Sequence, residues 1–103
     1  MSKTIKLTNA ILKERMTDAM VNRGNCVDFD TCFHSGIYGV TPATANIPPG
    51  VAQWGVLKVE VSSTYIIHSY TTRSQPITIL QRTIGTQGQE ASPWYRMATG
   101  EAL

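Results

Sequence analysis

Charge is scarce in this 103-residue chain: 16% of its residues are Asp, Glu, Lys or Arg, against about a quarter in an ordinary soluble domain. Between Gly36 and Gln89 the charged side chains are Lys58, Glu60, Arg73 and Arg82 alone. Four scattered charges make no basic stripe able to displace counterions from phosphate, which argues against nucleic acid as a partner. Long apolar runs are missing too. None approaches the roughly 20 residues that cross a bilayer, so membrane insertion is not expected. Lys13, Glu14 and Arg15 interrupt the apolar character that a signal peptide would need. The chain is therefore expected to be made in a cytoplasm and to reach any outside location by another route.

Cysteine is almost as rare. Cys26 and Cys32 form one C-x5-C pair, read as two small, partly buried free thiols or as a single disulfide, and in neither case as a disulfide scaffold. Cys26, Asp28, Asp30, Cys32 and His34 crowd together, but structural zinc wants four placed ligands, commonly in two short pairs, and no second cluster exists. No Gly-x-Ser-x-Gly turn, Walker loop or dinucleotide fingerprint occurs. Cys32 with His34 or His68 lacks a third orienting group. Asp28 and Asp30 suit a turn better than paired acid–base work. An enzyme is not expected, and neither is a metal or a cofactor.

The residues that are present describe one small β domain with a different leading segment. Hydrophobic residues make up 42% and the net charge is +2. The charge is uneven, with Lys3, Lys6, Lys13, Arg15 and Arg23 facing only Glu14 and Asp18 near the start. Leu12, Met16, Ala19 and Met20 recur at helical spacing after a Thr8 or Asn9 cap, and Gly24 suits a helix C-terminus. Residues 1–25 are thus expected to be an amphipathic helix or a stalk remnant, and residues 26–103 a β knob. After Asn25, Thr, Val and Ile dominate. Strands are expected over Gly36–Val40, Trp54–Val61, Tyr65–Tyr70, Ile77–Thr83 and Trp94–Met97. Leu57, Val59 and Val61 alternate with Lys58 and Glu60, a half-buried antiparallel pattern. Ser62-Ser63-Thr64 and Thr71–Pro76 turn the middle strands into a three-stranded meander, and Ile47-Pro48-Pro49-Gly50 is a fixed loop. Gly36 and Gly39 allow close backbone approach, with Tyr38 stacked inward. The polar stretch Gly85–Pro93 is a loop. The fold class is mainly β: a small antiparallel sheet or sandwich after one helix. So much neutral surface favours assembly into an oligomer.

Trp54, Tyr65, Tyr70, Trp94 and Tyr95, with His68, Arg73, Gln81 and Arg96, form a set suited to sugars. Aromatic faces take C–H groups and fork-like polar side chains take hydroxyls. Trp54 and Trp94 are expected rather to be core or subunit interface. Tyr70 and Arg73 flank a turn and are expected at the surface. The candidate ligand-binding residues are His68, Tyr70, Arg73, Trp94, Tyr95 and Arg96.

The order of motifs adds a resemblance. Asp28-Phe29-Asp30, Ser35-Gly36-Ile37-Tyr38-Gly39-Val40, Thr44-Ala45-Asn46-Ile47-Pro48-Pro49-Gly50, Trp54-Gly55-Val56-Leu57-Lys58-Val59, His68-Ser69-Tyr70-Thr71, Leu80-Gln81-Arg82-Thr83 and Ser92-Pro93-Trp94-Tyr95-Arg96 follow one another. Over about residues 27–98 this resembles the pyocin-knob-like domain of bacteriophage tail fibres and related particles. The resemblance implies a homotrimeric β knob near a fibre tip, a virion component whose partners are other fibre proteins and host surface polysaccharide. It implies no catalytic residues. The alternative is a virion accessory knob that caps, connects or decorates the particle, or a fibre trimerisation factor, without receptor binding.

Overall fold

The computed structural model describes residues 21–86 and 90–103. Among these, six strands form one sheet in chain order: β1 Asn22–Asn25, β2 Gly36–Val40, β3 Gly55–Val61, β4 Tyr65–Thr72, β5 Ile79–Gly85 and β6 Tyr95–Arg96. β2 to β6 pair antiparallel, and β1 pairs parallel with β2. The sheet is therefore mixed and single, not a purely antiparallel sheet or a sandwich. The helix expected over Thr8–Met20 lies outside the described residues. Gly24, expected to end it, instead stands inside β1 with φ +82°, and Asn22–Asn25 join the sheet ahead of the expected domain start at Cys26.

Local chemistry explains where the strands begin and end. The Ser62 hydroxyl accepts from the Thr64 and Tyr65 amides and the Ser62 amide donates to the Tyr65 carbonyl at 2.8 Å, closing the β3–β4 hairpin. Between β4 and β5 the Thr72 hydroxyl accepts from the Thr78 amide at 2.9 Å, while the Thr72 amide donates to the Thr78 carbonyl. Thr78 is consumed by the turn. β5 consequently starts at Ile79 rather than Ile77, and runs on to Gly85.

Gly36 and Gly39 approach β1 as expected. A Cβ on Gly36, at φ +150°, would lie 2.7 Å from the Val21 carbonyl oxygen. Any larger residue would push β1 off the edge.

Register divides the side chains between two faces. On one face Tyr38, Leu57, Tyr70, Leu80 and Arg96 stand opposite one another across β2 to β6, beside Val59, His68 and Arg82. This face is covered by the chain's own loops. Phe29, in a single 3-10 turn at Phe29–Thr31, is fully buried and meets Tyr70 edge-on with ring centres 5.2 Å apart. Trp94 closes the other side, 5.7 Å from Phe29. Cys26, Cys32, Val40, Ile66 and Ile84 complete the core. On the opposite face Ile37, Lys58, Ser69, Gln81 and Tyr95 stand in one row, and no described segment covers them.

Gly55 sets how closely β3 and β4 can pair. A Cβ there would overlap the Thr71 carbonyl and sit 2.8 Å from the Tyr70 ring. Gly55→Ala should cost about 1–3 kcal/mol by overpacking, read as a lower urea midpoint at unchanged slope. An unaltered midpoint would show that the strands have room to spare.

Candidate functional site

The structure separates the six candidate residues. His68 and Tyr70 are fully buried and Trp94 is buried. Arg96 is half-buried on the covered face, while Arg73 and Tyr95 are exposed. The expectation that Tyr70 lies at the surface is thus corrected: its ring packs on Phe29 and its hydroxyl donates to the Ala52 carbonyl at 2.6 Å. Burial raises the Tyr70 pKa. Trp54, expected in the core or at a subunit interface, is 54% exposed and so lies outside this chain's own core.

His68 and Trp94 belong to a buried polar cluster centred on Arg82. The guanidinium lies 4.7 Å from the Trp94 ring centre and is 7% exposed. Its Nε donates to His68 Nδ1 at 3.2 Å, and one terminal nitrogen donates to the Phe29 carbonyl at 2.9 Å and to Asp30 Oδ1 at 3.1 Å. Because Nδ1 accepts from a cation, His68 carries its proton on Nε2, which donates to the Cys32 carbonyl at 2.7 Å. Burial, then the adjacent guanidinium, pushes the His68 pKa down to about 4, against the opposing pull of the Cys32 carbonyl. Among the described residues no fully buried side-chain nitrogen or oxygen is left without a hydrogen-bond partner, and the Arg82 bonds hold the Phe29 loop on the sheet.

The acidic and thiol residues near Cys26 are likewise committed. Asp28 Oδ1 accepts from the Asn46 amide and the Asp30 N–H, each at 2.8 Å, and these bonds lower its pKa. Cys26 and Cys32 are buried free thiols, and Asp30 faces Arg82. Among the described residues no group of three or more His, Cys, Asp or Glu side chains is placed to hold a metal ion.

Among the described residues, what remains available to an outside molecule is the uncovered sheet face and its rim. Val56, Thr71 and Ile79 align across β3, β4 and β5, and the Met97 amide extends the row by donating to the Ile79 carbonyl. Trp54, Val56, Ile79, Tyr95 and Met97 are all among the exposed large hydrophobics. Lys58 and Glu60, 3.9 Å apart, are the paired charges on this face. At one end the Arg73 amide donates to the Trp54 carbonyl at 2.7 Å, setting the indole and the guanidinium on neighbouring strand ends. The adjoining turn, Thr72–Ile77, frames a shallow depression of about 480 Å³. A second depression of about 490 Å³ opens beside Ile37, Gly39 and Val56. Tyr95 sits three strands and four residues away from Trp54, about 19 Å by ordinary sheet spacing. Arg73, one strand nearer, lies about 16 Å from Tyr95 by the same spacing, so the two main-chain positions do not flank one small site.

The signal for Trp54 was available in β3. Trp54 and Val56 share parity with Lys58 and Glu60, so the alternation that buries Leu57 and Val59 also turns Trp54 outward. No protein-family model matches the chain, and no curated protein or solved structure matches it.

The His68 geometry carries a pH dependence. A histidine whose folded pKa lies below its unfolded value contributes stability that is complete above about 6.5 and is lost as pH falls toward about 4. Urea midpoints should drop as pH falls below 6.5, at about 1.4 kcal/mol per pH unit from this group. A midpoint flat between pH 7 and 5 would mean that His68 titrates normally and the Arg82 contact is not made.

Proposed function

We propose that this chain is a homotrimeric knob of a phage tail-fibre tip that attaches the particle to host surface glycan. One observation carries the reading: among the described residues the sheet is covered by loops on one face and not on the other, with exposed Trp54, Val56, Ile79, Tyr95 and Met97 on a surface poor in charge. A bare neutral face suits burial between copies. The ordered motifs that resemble the pyocin-knob-like domain support the same reading.

In this reading, Val56, Ile79 and their neighbours pack between protomers. The rim bearing Trp54 and Arg73 faces outward, where an indole can stack on sugar C–H groups and a guanidinium can bond hydroxyls. His68, Tyr70 and Trp94 support the fold and do not touch ligand. Repetition in a trimer multiplies a weak sugar contact through avidity. The chain is then a virion component made in the host cytoplasm, with other fibre proteins and host polysaccharide as partners. It has no catalytic role.

A second reading is an accessory knob that caps or connects fibre parts without receptor binding. The burial of His68, Tyr70 and Trp94 favours it, because it removes half of the receptor residues proposed from sequence.

Light scattering should give three times the 11.3 kDa chain mass, and Val56→Arg combined with Ile79→Arg should reduce it to one. Trp54→Ala and Arg73→Ala should keep the trimer mass and lower binding of labelled protein to host cells at least tenfold, on the order of 1.4 kcal/mol per site. Wild-type binding should vanish after surface polysaccharide is stripped. A monomeric wild type overturns the knob reading. A trimer that ignores polysaccharide favours the accessory knob.

A further inference from the structure

Trp54 and Arg73 form a cross-strand pair at one end of the uncovered face. β3 and β4 are in register at Val56↔Thr71 and Gly55↔Thr72. One step further, the Arg73 amide donates to the Trp54 carbonyl at 2.7 Å, so these two residues stand opposite each other. Trp54 shares the parity of Val56, and Arg73 that of Thr71, which puts both on the uncovered face. Residues opposed in this way have Cβ atoms about 5 Å apart. Both are exposed.

The Arg73 cation is uncommitted. Among the described residues the ion pairs are Lys58 with Glu60 and Arg82 with Asp30, and the cation over a ring is Arg82 over Trp94. Arg73 belongs to none of these. The turn beside it is committed instead. Thr72 Oγ1 and Ser74 Oγ lie 2.6 Å apart, the Ser74 hydroxyl donates to the Pro76 carbonyl at 2.8 Å, and Thr72 Oγ1 accepts from the Thr78 amide at 2.9 Å. A fixed turn thus holds an unpaired guanidinium beside an exposed indole. Arg73 also borders the depression of about 480 Å³ framed by Thr72–Ile77. The acid on β3, Glu60, is six residues along the strand from Trp54, about 20 Å by strand spacing, and faces Lys58.

We propose that the ligand of this rim is an acidic sugar, its anionic group bound by Arg73 and its ring face laid on Trp54. The inference rests on the attachment reading and narrows it to one chemical class of glycan. A hydroxyl offers the guanidinium only a dipole. A carboxylate or phosphate offers a counter-charge and two oxygens that match its parallel N–H groups. The indole takes the C–H face of a pyranose, leaving a substituent at the ring edge free to reach the opposite strand. The pair therefore selects a flat apolar face with a negative charge at its edge, which a neutral hexose lacks.

The full chain is titrated with glucuronate, glucose 6-phosphate and glucose at constant ionic strength. Binding is followed by tryptophan fluorescence and by saturation transfer to the sugar ring protons. At least one acid should bind about tenfold more tightly than glucose, and which of the two does so separates carboxylate from phosphate. Arg73→Gln should abolish that preference with the light-scattering mass unchanged, whereas Lys58→Gln should keep it. Glucose bound as tightly as both acids, binding of none of the three, a preference that survives Arg73→Gln, or equal loss in Lys58→Gln would each overturn the proposal. Should Arg73→Gln fail to fold, the wild-type ranking of the three sugars still decides. Host-cell attachment keeps the two readings apart. If it is lost on stripping polysaccharide but resists competition by both acids, the acidic ligand alone is refuted; if stripping leaves it intact, the attachment reading falls as well.

Discussion

The Arg82 guanidinium, enclosed beneath Trp94, is held by acceptors from separate parts of the chain: His68 on the neighbouring strand, and Phe29 and Asp30 on the loop above. A cation taken out of water is costly unless its N–H groups are satisfied, and here the satisfying groups are the ones that must be ordered for the core to close. Strand and loop are therefore interdependent. Without the loop, Arg82 loses its main-chain carbonyl and its counter-charge. Without Arg82, the Phe29 carbonyl and His68 Nδ1 face apolar surroundings unpaired. Phe29 is then left over Tyr70 by its own burial and by its amide's bond to the Ala45 carbonyl at 3.1 Å. Aromatic burial supplies the driving force, and the buried cation selects the arrangement.

That arrangement is one-sided, which determines what the rest of the surface can do. Loop, 3-10 turn and Trp94 are all drawn to the face bearing Leu57, Tyr70 and Leu80, leaving none of the described chain to shelter the other. The sheet edges are poor places for association. β6 is two residues long, while β1 is short, carries Gly24 in a left-handed conformation and has a register irregularity. Short, irregular edges resist strand addition from another chain. On the open face, by contrast, Val56 and Ile79 stand exposed on either side of Thr71.

Much of the sheet was legible because strand signals there are local. Gly36–Val40 is found as expected, and β3 follows its alternation to within a residue. Where the reading slipped, a nonlocal or side-chain interaction decided. β1 has no strand signature: Asn22-Arg23-Gly24-Asn25 is polar and exposed, and it pairs only because Gly36 and Gly39 let it approach. β5 was displaced by a hydroxyl bond from Thr72 to Thr78. The site was less legible than the sheet. In β4 both faces carry apolar residues, Tyr65 and Ile67 on one and Ile66 and Tyr70 on the other, so alternation could not tell which aromatic points inward. The burial of Tyr70 depends on Phe29, forty-one positions earlier in the chain, and no local pattern announces that contact.

The two faces also differ in how they respond to their surroundings. The covered side holds His68, whose pKa burial pushes down to about 4, and the buried thiols of Cys26 and Cys32, all beside the Phe29 loop. The bare face has one exposed ion pair, Lys58 with Glu60, whose attraction is weak and screened by salt. Its other large side chains include Trp54, Val56, Ile79 and Met97, which carry no ionisable group. Any contact made through these four would depend on shape and apolar area, which acidity and ionic strength scarcely alter, whereas the stability of the scaffold behind them falls once acid protonates one buried imidazole.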